Sequence, residues 1–326
     1  MDVSVVVPTR NRRSLLELTL RSVLRQRDVD LEVIVVDEGS TDDTPAVLAA
    51  VADSRLRVIR NDRPRGVSAA RNRGAASSRA DWVAFLDDDD LWAPDKLTRQ
   101  LETVRQTGAA WVYVGHVNIN INHQVTGGEP PLSPDELLRQ LPQHNVVPGG
   151  CSGVMVSKQQ LVRAGRFDEE LQPLADWDLW LRLASLGAPA CVPEPLVAYR
   201  VHGRQMSLDA GRIQAEFPVI LSRNREADSA VLYRYLAWWA LRVKDYRSAS
   251  KFFIRAWLER RPAFPDRVLA ADLAALATDI LEYRLRLRLP RRSQPTDAGE
   301  PRAWRARGQA WVNALINQEV TPTDSG

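Results

Sequence analysis

Asp87 to Asp90 are four consecutive aspartates, set between the apolar run "WVAFL" and the stretch "LWAPDKL". Carboxylates this close at the end of a buried strand repel one another and raise one another's pKa values. A divalent cation removes that penalty. Mg²⁺ and Mn²⁺ take hard oxygen ligands and often use only one or two carboxylates while substrate phosphates fill other positions. Asp87 and Asp89 therefore read as an Asp-x-Asp pair serving a metal-diphosphate. The competing reading is a solvated acidic turn, with Asp88 or Asp90 near the dipole of a helix starting at Pro94.

A second pair of carboxylates lies in "LADWDLWLRLA", residues 174 to 184. Trp177, Trp180, Leu181 and Ala184 make an apolar helical stripe, which puts Asp176 and Asp178 in the first turn. Carboxylates are favoured there electrostatically, so they read either as helix-terminal charges or as a base. His202, in "YRVHGRQMS", is one of four histidines in the chain, and a lone histidine after a strand is usually a surface or satisfied one. In "PGGCSG", Gly149 and Gly150 would let the backbone approach a neighbour closely.

The elements that must position these groups alternate over the first hundred residues. Short apolar, β-branched runs at 3–8 and 31–38 read as strands buried on both faces, and runs at 56–61 and 81–87 as two further strands. Helical patterns at 14–26, with Ser14 as N-cap, at 40–51 and at 68–78 separate them. This βαβαβαβ order predicts an α/β fold with a doubly wound, mostly parallel sheet. Ligands bind such sheets at the carboxyl ends of the strands, where "PTRNR", "DEGSTD", "NDRPRG" and "DDDD" all fall.

From about residue 211 the texture becomes helical. Residues 230–262 read as an antiparallel helix pair turning at Asp245, similar to one tetratricopeptide-like unit, with Trp238, Trp239, Phe252, Phe253 and Trp257 as core candidates. A further helix at about 266–289, a Pro/Ser/Gly/Arg-rich linker at 290–302 and a short amphipathic tail helix complete the expected organisation. Its parts are 1–210, 211–290 and 291–326.

Composition narrows the class. The 326 residues are 44% hydrophobic and 26% charged, as in an ordinary globular protein of two domains. Residues 1–210 are acidic by 4 and residues 211–326 basic by 7, which argues against a nucleic-acid binder with a basic stripe over the main domain. Cys151 and Cys191 suit neither a metal knuckle nor a disulfide framework and are expected to be free thiols in a reducing cytoplasm. No secretory signal and no membrane-spanning run is read. The Arg-rich "YRLRLRLPRR" (283–292) leaves peripheral contact with the inner face of a membrane open.

Taken in order, "VSVVVPTRNRRSLLELTLRSVLRQ", "LEVIVVDEGSTDDT", "GVSAARNRGAASSRADWVAFLDDDD", "ADWDLWLRLA" and "YRVHGRQMS" resemble the family 2 glycosyltransferases, which have the GT-A fold. The resemblance covers about residues 1 to 210. It implies a metal-dependent, inverting transfer from a nucleotide-sugar, a UDP-sugar first, to a carbohydrate, lipid-linked or small-molecule acceptor. By the same resemblance Pro8, Thr9 and Arg10 lie beside the nucleoside, Asp37 and Glu38 face the base, and Arg71 and Asn72 approach the nucleotide. Asp87 and Asp88 serve the diphosphate, Asp89 and His202 hold Mn²⁺ or Mg²⁺, and Asp176 is the general base. Two departures stand out: Glu38 where the family usually has Asp, and Ala175 where it often has Glu. A nucleotidyltransferase of similar fold would need a Gly-rich loop after the first strand, which "PTRNRR" lacks. A non-catalytic sugar-binding or scaffold protein is the third alternative.

Overall fold

The computed structural model describes residues 1–128, 130–202, 205–206, 209–224, 228–242, 245–259 and 299–317. The helix expected at 266–289, the Arg-rich stretch at 283–292 and the side chains of Trp238 and Trp239 lie outside the described residues.

The chain opens β1 (Val3–Thr9), α1 (Arg13–Leu24), β2 (Leu31–Asp37), α2 (Thr44–Ala50), β3 (Leu56–Arg60), α3 (Val67–Ala76) and β4 (Trp82–Phe85). After the aspartates come β5 (Leu91–Trp92), α4 (Lys96–Thr107), β6 (Trp111–Ile119), β7 (Val125–Gly127), α5 (Pro134–Gln140), a 3₁₀ turn (Gly150–Gly153) and β8 (Val154–Ser157). Then follow α6 (Lys158–Arg163), α7 (Ala175–Leu186), β9 (Ala190–Arg200), α8 (Ala210–Arg223), α9 (Ser229–Arg242), α10 (Tyr246–Glu259) and α11 (Gly299–Asn317).

One sheet runs β3-β2-β1-β4-β8-β6-β9-β5, with β7 off the path on β6. Its first four strands are parallel, as the alternating pattern predicts. Beyond β4 the sheet is mixed, because β8 is antiparallel to both β4 and β6 while β9 is parallel to β6. Every residue of β1 and β2 is buried. Their alternate side chains fill two layers. Val6 and Ile34 join Trp177 and Trp180 on one face, and Val5 and Val33 join Leu16, Leu20, Leu97 and Leu101 on the other.

Helix starts near the site depart from the sequence reading: α2, read from residue 40, begins at Thr44. Ser14 is not the N-cap of α1, which begins at Arg13 after Arg12 with no side-chain cap. The first amides are taken from outside instead: Arg12 N–H by Thr44 Oγ1 at 3.1 Å and Arg13 N–H by Asp42 Oδ2 at 3.4 Å. The helix after the aspartates starts at Lys96 rather than Pro94. Lys96 is fully buried, with its Nζ 3.7 Å from the centre of the Trp92 ring and donating to Gln100 Oε1 at 2.8 Å.

The downstream helices pack onto this body. Phe217 and Ile220 of α8 and Leu232 and Leu236 of α9 enter the cluster around Trp177 and Trp180, while Ala240, Ala249 and Phe253 seal the α9–α10 hairpin. The last described helix is longer than the expected tail helix and lies on the sheet. Its Trp304 sits where β6 and β9 break register at Gly115, and Nε1 donates to the His116 carbonyl at 3.1 Å. The fit is tight, since a Cβ on Gly115 would come within 2.4 Å of the Trp304 ring. Trp311 Nε1 donates to Pro195 O at 2.7 Å, and Gln309 takes the Val125 N–H at 2.7 Å. No helix among the described residues is long and apolar enough to cross a membrane.

Candidate active site

The aspartate turn is held from beneath by α1. Buried Thr19 Oγ1 lies 3.1 Å from the Asp88 carbonyl and 2.9 Å from that of Asp90, and the Trp92 N–H donates to Ser22 Oγ at 3.2 Å. The four carboxylates then go to different partners. Asp87 Oδ1 accepts from Arg71 at 2.5 Å. Asp88 faces Arg12 Nε at 3.4 Å, and Asp89 Oδ2 lies 2.8 Å from His202 Nε2. Asp90 is fully buried, accepting from Ser152 Oγ at 2.6 Å and from Arg200 N–H at 2.9 Å. Burial and the neighbouring Asp89 push Asp88 up to about 7 and Asp90 well above the usual carboxylate range. Asp90 is thus a structural group, and the other three line a cavity of 610 Å³.

Asp176 enters the same cavity from the first turn of α7. Its Oδ1 accepts the Trp177 N–H at 2.7 Å and its Oδ2 accepts from Asn145 Nδ2 at 3.2 Å. Burial raises its pKa, against the opposing field of Arg71. Gly149 and Gly150 both have positive φ, 67° and 54°, a left-handed pair that brings the 3₁₀ turn beside it. Asp178 does not reach the cavity: it is buried and bonded to Arg182 and, at 3.0 Å, to Arg223. Arg71 works against its own burial, yet Asp87 holds its pKa above the ordinary value, and its guanidinium carbon lies 5.3 Å from the centre of the Phe167 ring. A fixed cation therefore stands in a field shared by Asp87 and Asp176.

At the other end Pro8, Thr9, Arg10 and Glu38 line the wall. Asp37 does not. It turns inward, where it accepts from the Ser40 N–H at 2.9 Å and from Arg60 at 2.6 Å. Glu38 accepts the backbone N–H groups of Arg65 at 2.5 Å and Gly66 at 2.7 Å, and also bonds Asn61 Nδ2. Its extra methylene thus carries the carboxylate to the loop before α3. Asn72 also faces away from the cavity, donating to Phe167 O at 2.9 Å and taking the Phe167 N–H at 3.0 Å.

The donor set fits a hard divalent cation that shares its coordination with a diphosphate. Among the described residues no three His, Cys, Asp or Glu side chains form a closed cage. Such ions need only one or two protein carboxylates when phosphates supply the rest. Asp87 and Asp89 are half-buried and Asp88 is buried; burial first, and then the neighbouring Asp89, hold Asp88 up at about 7, and a cation beside the three would favour their charged forms.

Arg12, Arg65, Gln172, Tyr199 and Arg212 also line the cavity and were not picked out from the sequence. Arg12 had a signal, since it follows Arg10 at the end of β1 in "PTRNRR". The others come from loops (Arg65, Gln172), from the end of β9 (Tyr199) and from α8 (Arg212), whose approach depends on tertiary packing.

The Glycosyl transferase family 2 profile matches residues 4–161. The succinoglycan biosynthesis protein ExoO of Rhizobium meliloti (strain 1021) is 31% identical over 252 residues, covering 72% of this chain and 69% of that protein. Among solved structures, S. aureus TarS 1-349 in complex with UDP-GlcNAc superposes with a TM-score of 0.60 at 18% identity, over 92% of this chain and 98% of that one. The mannosyltransferase PcManGT from Pyrobaculum calidifontis, in complex with GDP-Man and Mn2+, gives 0.52 at 19% identity, over 99% and 88%.

Proposed function

The chain belongs to the family 2 glycosyltransferases, and on that premise we propose that it transfers a sugar from a UDP-sugar to an acceptor hydroxyl, inverting the anomeric carbon. The observation that carries this reading is one cavity with a half-buried carboxylate, Asp176, at one wall and three carboxylates, two of them facing arginines, at another. A hydrolase acting on a glycosidic bond would need two carboxylates flanking that bond, one as acid and one as base or nucleophile. Transfer from a nucleotide-sugar needs a single base, because the leaving group is an already acidic diphosphate.

Asp176 takes the proton of the acceptor hydroxyl as its oxygen forms a bond to the anomeric carbon. The bond from that carbon to the diphosphate breaks on the opposite face, and its electron pair leaves with the nucleotide. Asn145, donating to Oδ2, and the Trp177 amide, donating to Oδ1, hold the carboxylate in place. Arg71, fixed against Asp87, keeps a permanent positive charge beside the leaving group and the base. Asp89 and His202 would hold Mn²⁺ or Mg²⁺, which when bound neutralises charge on the departing diphosphate. Arg10, Arg12 and Arg212, at the cavity wall, are placed to meet phosphate oxygens.

UDP is favoured as the nucleotide because TarS is structurally similar and was solved with UDP-GlcNAc, with GDP next because PcManGT was solved with GDP-Man. A saccharide acceptor in polysaccharide assembly is favoured by the similarity to a succinoglycan biosynthesis protein. We place the catalytic unit in residues 1–210 with α8 completing its wall. The deciding experiment is calorimetric binding of UDP, GDP and dTDP, each with Mn²⁺ and again with EDTA. Binding of UDP that is lost in EDTA is expected, and absence of binding by all three nucleotides would remove the transferase reading.

A further inference from the structure

The loop that delivers Asp176 is clamped by a carboxylate from the helical region downstream. Glu216 lies on α8 and is buried. Its Oε1 accepts the Gln172 N–H at 2.9 Å and its Oε2 accepts the Leu174 N–H at 3.1 Å. Pro173 stands between them without an N–H of its own, so both amides that flank it converge on one carboxylate. A carboxylate loses its hydration on burial and is retained only where donors replace it. Burial raises the pKa of Glu216 even against those two amides, so the group sits there at a cost.

What the clamp holds is the cavity wall. Leu174 is the N-cap of α7, and Asp176 is the second residue of that helix. Gln172, Pro173 and Asp176 all line the cavity. Gln172 passes the restraint on: its Oε1 accepts the Val67 N–H at 3.1 Å, and its side-chain amide lies where a Cβ on Gly66 would come within 2.5 Å. Gly66 is in turn one of the amides bonded by Glu38. Arg212, one turn before Glu216 on α8, faces the same cavity.

We propose that Glu216 is a positioning residue for the transfer, fixing Asp176 and Gln172 at the cavity through the two amides around Pro173. This makes α8 part of the machinery of transfer, and it rests on the transferase reading for what Asp176 does.

The test uses the full chain and the isosteric Glu216→Gln variant, which exchanges one acceptor oxygen for a donor. Two quantities are read: deuterium exchange of the amides at 172 and 174, and nucleotide release from UDP-glucose, UDP-GlcNAc and GDP-mannose with Mn²⁺, water serving as acceptor. Exchange about tenfold faster is expected, because a lost acceptor lowers the local opening energy. With it, kcat should fall about tenfold or more while KM for the donor stays within about threefold. Wild-type exchange rates in the variant would overturn the clamp, and faster exchange with unchanged kcat would overturn the positioning role. If Glu216→Gln fails to fold, Glu216→Asp, which is one methylene short of reaching both amides, is read the same way. Wild-type protein that binds no nucleotide and releases none overturns the transferase reading alone, since exchange at 172 and 174 still decides the clamp.

Discussion

His202 Nε2 and Asp89 Oδ2 lie 2.8 Å apart although 113 residues separate them in sequence. The contact joins the segment after β9 to the turn after β4 and sets a ring nitrogen beside Asp89, which lines the cavity while His202 stands behind it.

If that pair holds the cation, Asp89→Asn and His202→Ala should each weaken Mn²⁺-dependent UDP binding by about tenfold or more, a change of about 1.4 kcal/mol. The residual binding should be the same with Mn²⁺ and with EDTA. Calorimetry on the two variants reads this directly. Wild-type affinity that still vanishes in EDTA would move the cation to Asp87 or Asp88.

Asp176→Asn should bind UDP as the wild type does and lose transfer by a factor of about 10² to 10⁴, the usual contribution of a general base. A base works only when deprotonated. Burial raises the pKa of Asp176, so transfer in the wild type should fall as pH drops through that raised value, above the ordinary aspartate range. A rate profile flat down to pH 4 would place the base elsewhere.

Lys96 is a stability residue with a sign that can be checked. Burial lowers its pKa well below the usual lysine value, so between the lowered and the ordinary value the unfolded chain binds the extra proton. Stability must then rise with pH across that window. Lys96→Met should flatten the slope and stabilise the protein at neutral pH, as measured by urea unfolding at several pH values. An unchanged slope would mean that the ammonium stays charged against Trp92.

Trp304→Ala should cost about 3–5 kcal/mol, as expected for removing a fully buried tryptophan. Gly115→Ala should also destabilise, because the added methyl meets the same ring. Thermal melts of both variants and of the pair check this. In the double variant the second change should cost less than it does alone, because the methyl occupies part of the space the indole leaves.

Much of this arrangement is legible in the sequence, for reasons that also define its limits. β1 and β2 announce themselves because strands buried on both faces need unbroken apolar β-branched runs, and the aspartates announce themselves because four like charges need a reason. Asp37 and Glu38 could not be told apart, since which of them faces the cavity depends on the twist at the end of β2 and on amides supplied by Arg65 and Gly66. Asn72 reads as a nucleotide contact only through the resemblance of the stretch "GVSAARNRG" that it shares with Arg71, but one residue later on a helix the direction has turned by about 100°. The start of α11 was hidden inside what composition marks as linker. Pro301 falls within the first turn, where a proline has no hydrogen bond to break. Glu216 left no local trace, because the amides it caps lie 42 and 44 residues earlier.

The seat of Trp304 on the bulge at Gly115 has a consequence for the order in which the protein can be made. Trp304 trails the carbonyl it binds, that of His116, by 188 residues. β9 ends 104 residues before Trp304, and at about 5–20 residues per second a ribosome needs roughly 5–20 s to span that stretch. During that time β6 and β9 are outside the tunnel with their register break uncovered, and the wall that Tyr199 contributes to the cavity has no buttress. The nascent enzyme therefore waits on its own late helix, and a chaperone that shields this edge of the sheet would act in that interval.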